Sequence, residues 1–241
     1  MIRKKAILFI HGFAGGIYDY GNLINDLELT GEFDVFSYTL PKHNKLVINN
    51  VTNKDWIRES EYQIEKLINN NYKEIFVIGY SMGGVIATHL ASKYKEIKKL
   101  VLGAPAFKFF KFRNNKINFI YSIKLIPNVL KNYTIREILA KYFKVPLHTV
   151  KEFSYLVNEY YDDVKNVYCP TLILHGSDDI TVPIESINYV YNNIGSNSVK
   201  MVQVENVNHS IFCNDRYDDI KLIIIDYLKE RKNNIKEKYF I

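Results

Sequence analysis

Short apolar runs that alternate with helical patterns restrict the fold of this chain more than any other feature of its sequence. The runs are Ala6–Ile10, Phe33–Tyr38, Glu74–Ile78, Lys99–Leu102, Thr171–His175 and Val199–Val204. Three of them contain AILFI, IFVI and TLIL, which are apolar throughout apart from Thr171. A strand with one wet face alternates apolar and polar side chains, so these read as strands buried on both faces. Helical spacing falls between them, at about 18–28, 53–70, 83–95, 185–194 and 215–232. In 53–70 the stripe is Trp56, Ile57, Ile64, Leu67 and Ile68, with Thr52 or Asn53 placed to cap it. Strand, helix and strand in repetition predict an α/β fold, a parallel sheet covered by helices.

One segment interrupts the alternation. More than sixty residues separate the strand ending near Gly103 from the strand starting at Thr171. They carry helical patterns at about 116–125, 134–143 and 146–162 and no clear strand. A structureless loop of that length is uncommon in a compact domain, so the segment reads as a helical insertion. A chain of 241 residues, 47% hydrophobic, is long enough for a sizeable core and too apolar for disorder. Two cysteines, Cys169 and Cys213, exclude a disulfide framework. No apolar run approaches the roughly 20 residues of a membrane span. The basic start and apolar stretch of Met1–Ile10 imitate a signal peptide. The apolar part spans only five residues before His11-Gly12, short of the roughly 7–15 that a signal needs. A cytoplasmic protein is therefore expected.

Gly79-Tyr80-Ser81-Met82-Gly83 is a G-x-S-x-G sequence, preceded by the strand pattern Phe76-Val-Ile78 and followed by a helical one. A serine on so sharp a strand-to-helix turn is held in a strained backbone conformation with its hydroxyl presented above the sheet edge. The helix start adds positive potential beside any oxyanion that forms there. A serine hydroxyl is a weak nucleophile and needs a base. Of the six histidines, His43 and His148 lack strand context and His89 faces outward on the helix after Ser81. His11 and His175 end strands but belong to His-Gly turns. His209 follows the last strand on a loop able to reach back over Ser81, which makes it the best base. A carboxylate to orient that base is available in Asp178 or Asp179, which follow the Thr171–His175 strand and both suit the position.

His11-Gly12-Phe13, Gly79–Gly83, Gly176-Ser-Asp-Asp-Ile-Thr-Val-Pro183 and Asn208-His209 come in the order of a serine α/β-hydrolase. The chain resembles that family from Ala6 to about Leu228, and within it small bacterial carboxylesterases and monoacylglycerol lipases. The resemblance implies an α/β-hydrolase fold with a catalytic core at 1–103 and 166–241 and a helical cap at 104–165. It assigns the acid to Asp179, beside Ser81 and His209. It also implies an oxyanion hole from the backbone N–H groups of Phe13 and Met82. Two departures stand out. The chain starts almost at the His-Gly strand, so the family's N-terminal antiparallel hairpin is missing or reduced and about six strands are expected. Asn208 stands before the histidine where Gly is common.

The function expected is that of a serine carboxylesterase acting on short- to medium-chain esters, with lipid-derived substrates included. A monoacylglycerol lipase or an acyl thioesterase would need the same three residues. A non-catalytic binding protein on this fold would have lost one of them. Phe107, Phe110 and Ile123, in the insertion, are candidates for lining an acyl pocket. No metal or organic cofactor is implied, since no ligand spacing of the H-E-x-x-H or paired C-x-x-C kind occurs. Nucleic-acid binding rests only on a pI near 9.0 and has no motif behind it. The net charge of +6 is that of the insertion: residues 104–165 hold eleven basic and five acidic side chains, and the rest is neutral. A basic cap suits a solvated surface or weak contact with anionic lipid. The oligomeric state is open.

Overall fold

The computed structural model describes residues 5–109, 112–113, 116–117, 145–230 and 235–241. Strand β1, Lys5–Ile10, lies between β2, Asp34–Ser37, and β3, Glu74–Tyr80, parallel to both. On the far side of β3 follow β4, Ile97–Gly103, then β7, Thr171–Gly176, β8, Val199–Val204, and β9, Lys236–Phe240. All neighbouring pairs in this seven-stranded sheet are parallel. Two short strands, β5 (Phe112–Arg113) and β6 (Lys116–Ile117), form a separate antiparallel pair.

The apolar runs are buried on both faces because helices cover the sheet twice. In β1, Ile7 and Phe9 join Leu23 and Leu27 of helix α1 (Leu23–Leu29) and Ile220 and Ile224 of α6 (Tyr217–Lys229). Ala6, Leu8 and Ile10 of the same strand point the other way. There they meet Trp56 and Ile64 of α2 (Asn53–Asn69) and Val85, Ile86 and Leu90 of α3 (Met82–Lys93). Helices α4 (Leu147–Glu159) and α5 (Ile184–Asn193) complete this second layer. Each large side chain so buried contributes about 2 kcal/mol relative to exposure, which fixes the register of a strand with no wet face.

Local chemistry sets the helix starts and stops. Thr52 caps α2: the Asp55 N–H donates to its hydroxyl at 3.3 Å, and the Thr52 N–H donates back to Asp55 Oδ2 at 2.9 Å. The helix expected at 18–28 is divided, a 3₁₀ turn at Ile17–Tyr20 and then α1, because Gly21 adopts φ +51° between them. The sequence pattern at 146–162 becomes α4 followed by a 3₁₀ turn at Tyr161–Asn166. The pattern at 116–125 begins in β6 instead of a helix. The pattern at 134–143 lies outside the described residues. The seventh strand, β9, was not expected. Its Lys-Glu-Lys-Tyr-Phe sequence alternates exposed and part-buried positions, as a sheet edge does. Among the described residues no helix is long and apolar enough to cross a membrane.

Candidate active site

Parallel strands bring their C-terminal ends to one edge of the sheet, and three loops meet there: after β3 at Ser81, after β7 at Asp179, after β8 at His209. Ser81 stands at the N-terminus of α3 with φ +53° and ψ −116°. That left-handed backbone is strained for a residue with a Cβ, and the glycines around it make it possible. A Cβ on Gly79 would come within 2.6 Å of Ala87 Cβ, and one on Gly83 would run into the Ile10 carbonyl oxygen. Ser81 is anchored by its own main chain, its N–H donating to Gly103 O at 2.9 Å.

The Ser81 hydroxyl lies 3.2 Å from His209 Nε2, and His209 Nδ1 lies 2.7 Å from Asp179 Oδ2. An ionised carboxylate accepts only, so Nδ1 carries the proton and Nε2 is left to accept from the serine. The second oxygen of Asp179 accepts from the N–H groups of Thr181 at 2.8 Å and Val182 at 2.9 Å. The Asp179 side chain is wholly buried, whereas Asp178 is exposed and accepts from the Ser177 hydroxyl. Of the two aspartates left open by location, the structure brings Asp179 to His209 and turns Asp178 to solvent.

The loop after β1 closes the other side of Ser81. Gly12 approaches so nearly that a Cβ there would meet Ser81 Cβ at 3.3 Å, which sets the Gly12-Phe13 turn against the serine. His11 shapes this turn: the Leu40 N–H donates to its Nε2 at 2.9 Å, so Nδ1–H donates to Gly12 O. Asp19 accepts from the N–H groups of Gly12 and Gly16 at 3.3 and 3.2 Å. Met82 is the first residue of α3, and its N–H, like those of every first helical turn, has no partner within the helix.

Several contributors gave little signal in the sequence. The Tyr80 hydroxyl donates to His209 O. Asn208, the departure before the histidine, accepts from Ser210 N–H at 2.9 Å and so braces the His209 turn. Phe153 of α4 stacks on Phe13 with ring centroids 4.8 Å apart and on Phe109 at 5.3 Å. Phe107 is buried between Tyr161 and Tyr189, at 6.1 and 5.9 Å. Phe110 and Ile123 lie outside the described residues. His89 is bound elsewhere, its ring bridging Asp163 and Glu61. His175 is buried beneath Asp179 and donates through Nε2 to Val182 O at 2.9 Å; burial pushes its pKa down. Among the described residues no group of three or more His, Cys, Asp or Glu side chains is placed to hold a metal ion.

The sequence and the fold have counterparts among known proteins. The Hydrolase_4 family, described as serine aminopeptidase, S33, matches residues 2–143. The chain belongs to the Hydrolase_4 family. A carboxylesterase of Bacillus subtilis (strain 168) is 23% identical to this Hydrolase_4 chain over 234 residues, 94% of this chain and 93% of the relative. A thermostable monoacylglycerol lipase of Bacillus sp. (strain H-257) is 24% identical over 210 residues, 84% of this chain and 82% of the relative. Among solved structures, one from a study of LipS and LipT, two metagenome-derived lipolytic enzymes, superposes with a TM-score of 0.76. It is 17% identical, with 94% of each chain covered, so the fold is that of the α/β-hydrolases.

Proposed function

We propose that this Hydrolase_4 protein is a serine carboxylesterase that hydrolyses short- to medium-chain carboxylic esters through an acyl-enzyme. The observation that carries the reading is the continuous line from Ser81 Oγ through His209 to Asp179, at 3.2 and 2.7 Å. In this mechanism His209 Nε2 takes the Ser81 proton as Oγ attacks the ester carbonyl carbon. Asp179 holds the imidazole in the required tautomer and stabilises the imidazolium. The N–H groups of Phe13 and Met82 donate to the oxyanion of the tetrahedral intermediate. That intermediate expels the alkoxide, which takes the proton from His209 and leaves as the alcohol. Water then gives a proton to His209 and attacks the acyl carbon, and the proton returns to Ser81 as the carboxylic acid leaves.

The names of the relatives support an ester over an amide substrate, and one of them supports a monoacylglycerol. Phe107, Phe110 and Ile123 belong to this proposal as walls of the acyl pocket, and residues 104–165 as its cap. Phe153 joins them because it stacks on Phe13. A cytoplasmic setting belongs to the same reading, and it is supported by two cysteines that form no disulfide.

The test pairs a fluorophosphonate probe with a substrate panel. The probe should label Ser81, and a p-nitrophenyl ester series of rising acyl length should be turned over beside monoacylglycerols, acyl thioesters and aminoacyl anilides. Ester turnover no greater than that of Ser81→Ala would overturn the proposal. Preference for the anilides would move the activity to peptide-bond hydrolysis.

A further inference from the structure

At the opposite edge of the sheet from Ser81, the starts of β1, β3, β4 and β7 and the ends of α3 and α6 enclose a cleft of about 820 Å³. Pockets for small molecules run roughly 300–1,000 Å³. Among the described residues seven lysines and two glutamates line it, although the chain outside residues 104–165 is neutral as a whole. Part of that charge is already in use. Lys93 and Lys229 stand in the last turns of α3 and α6, where an ammonium complements the helix dipole, and they pair with Glu61 and Glu32. Lys99 spends its donors on the carbonyls of Tyr227, Leu228 and Glu230 at 2.5, 3.0 and 2.7 Å.

The remaining cations are not matched. Lys5, Lys73 and Lys95 make no ion pair among the described residues, and Lys98 donates to the Lys95 carbonyl. Of the two acids, Glu230 is paired with Lys200 at 2.8 Å, which leaves Glu74 against four ammonium groups. Burial pulls the Lys99 pKa down to about 8, with Glu230 and Glu74 acting against that shift and Lys5 and Lys200 with it. Beneath the ammonium groups Phe76, Ile97 and Leu228 are buried, and the apolar surface left open is that of Ala91, Tyr168 and the lysine stems.

We propose that this cleft binds a single-chain amphiphile with a phosphate-monoester head. Flexible ammonium groups act as point charges toward phosphate. A phosphate monoester brings about −1.5 to −2 charges against the single charge of a carboxylate, nearer to what the unmatched lysines offer. Ala91, the Tyr168 ring and the stems of the lysines take the first part of the chain. The site is separate from Ser81 and stands whether or not the protein is an esterase.

Calorimetric titration of Ser81→Ala protein with dodecyl phosphate, below its micellar concentration, tests the proposal. Dodecanoate, inorganic phosphate and dodecyl maltoside are run beside it, and all are repeated in Ser81→Ala with Lys73→Glu and Lys95→Glu. Lys73 and Lys95 are exposed, so the reversals leave the core intact, which a thermal midpoint verifies. Dodecyl phosphate should bind at least about tenfold more tightly than the other three and lose at least about tenfold on charge reversal. Bound dodecyl phosphate should also slow alkylation of Cys169, which lines the cleft, and leave that of Cys213 unchanged. Equal affinity before and after charge reversal would place the ligand elsewhere and overturn the proposal. So would equal binding of the uncharged maltoside, of inorganic phosphate alone or of dodecanoate. Ester turnover by Lys73→Glu/Lys95→Glu, with Ser81 intact, should match the wild type, which separates failure here from failure of the esterase reading.

Discussion

The hydroxyl of Tyr80 donates to the main-chain carbonyl of His209 at 3.0 Å, and its ring lies 5.1 Å from the imidazole at an interplanar angle of 35°. The residue before Ser81 in the chain thus holds the loop that carries His209. Its ring is itself packed, with Tyr20 and Phe212 at 6.4 and 5.8 Å, so the anchor is stiff.

Tyr80→Phe keeps the ring packing and removes the bond to the His209 carbonyl. A neutral hydrogen bond is worth about 1 kcal/mol net. If that energy serves to keep His209 over Ser81, kcat should fall about fivefold with KM unchanged. Steady-state kinetics on p-nitrophenyl butyrate decide it, and a rise in KM at constant kcat would assign Tyr80 to substrate binding instead.

Asp179 and Asp178 differ in one step along the chain and in almost everything physical. Asp179→Asn replaces an acceptor that holds His209 Nδ1–H with a group able to present N–H there, which favours the wrong imidazole tautomer. Turnover should fall about 10³–10⁴-fold with the fold intact. Asp178→Asn touches an exposed side chain and should stay within about twofold of wild type. Comparable losses in the two variants would leave the histidine without an identified orienting carboxylate.

What the sequence made legible follows from how strongly burial constrains it. Strands such as Ala6–Ile10 and Thr171–His175 have no wet face, so their composition alone marks them. The meeting of Ser81 with His209 follows from parallel strands ending at one edge. Between Asp178 and Asp179 location alone does not choose, because both follow the same strand. The family resemblance points to Asp179, and the burial that separates the two side chains is a tertiary property. β9 escaped notice for the opposite reason: Lys236, Glu237 and Lys238 carry no apolar signal, and pairing with β8 makes the strand. Phe153 is one apolar residue of several within 146–162, and its stacking on Phe13 joins distant parts of the chain, which no local pattern carries.

Gly83 tests the turn itself. A Cβ at this position would collide with the main-chain carbonyl of Ile10, which belongs to β1 and cannot move without displacing the sheet. Gly83→Ala should therefore cost at least about 3 kcal/mol of stability, where alanine elsewhere in a helix is favourable. Denaturant unfolding measures it. An unchanged midpoint would mean that β1 and α3 separate more freely than their packing implies.

The last prediction concerns His175, whose side chain is 2% exposed and whose Nε2–H donates to Val182 O. A second proton would go to Nδ1, which is buried and has no hydrogen-bond partner. Burial holds the native pKa below the ordinary value near 6.5, even though Asp179 nearby works in the other direction. In the window between the native and unfolded values the unfolded chain binds more protons, so stability rises with pH there. It is fully present above about 6.5 and is lost as pH falls toward the native value. His175→Gln keeps a donor for Val182 O and does not titrate in that range. Urea midpoints for wild type should therefore decline between about pH 7.5 and pH 5 more steeply than those of His175→Gln. Parallel curves would show that His175 gains its proton without leaving its place beneath Asp179, and that some acceptor for Nδ1–H forms when it does.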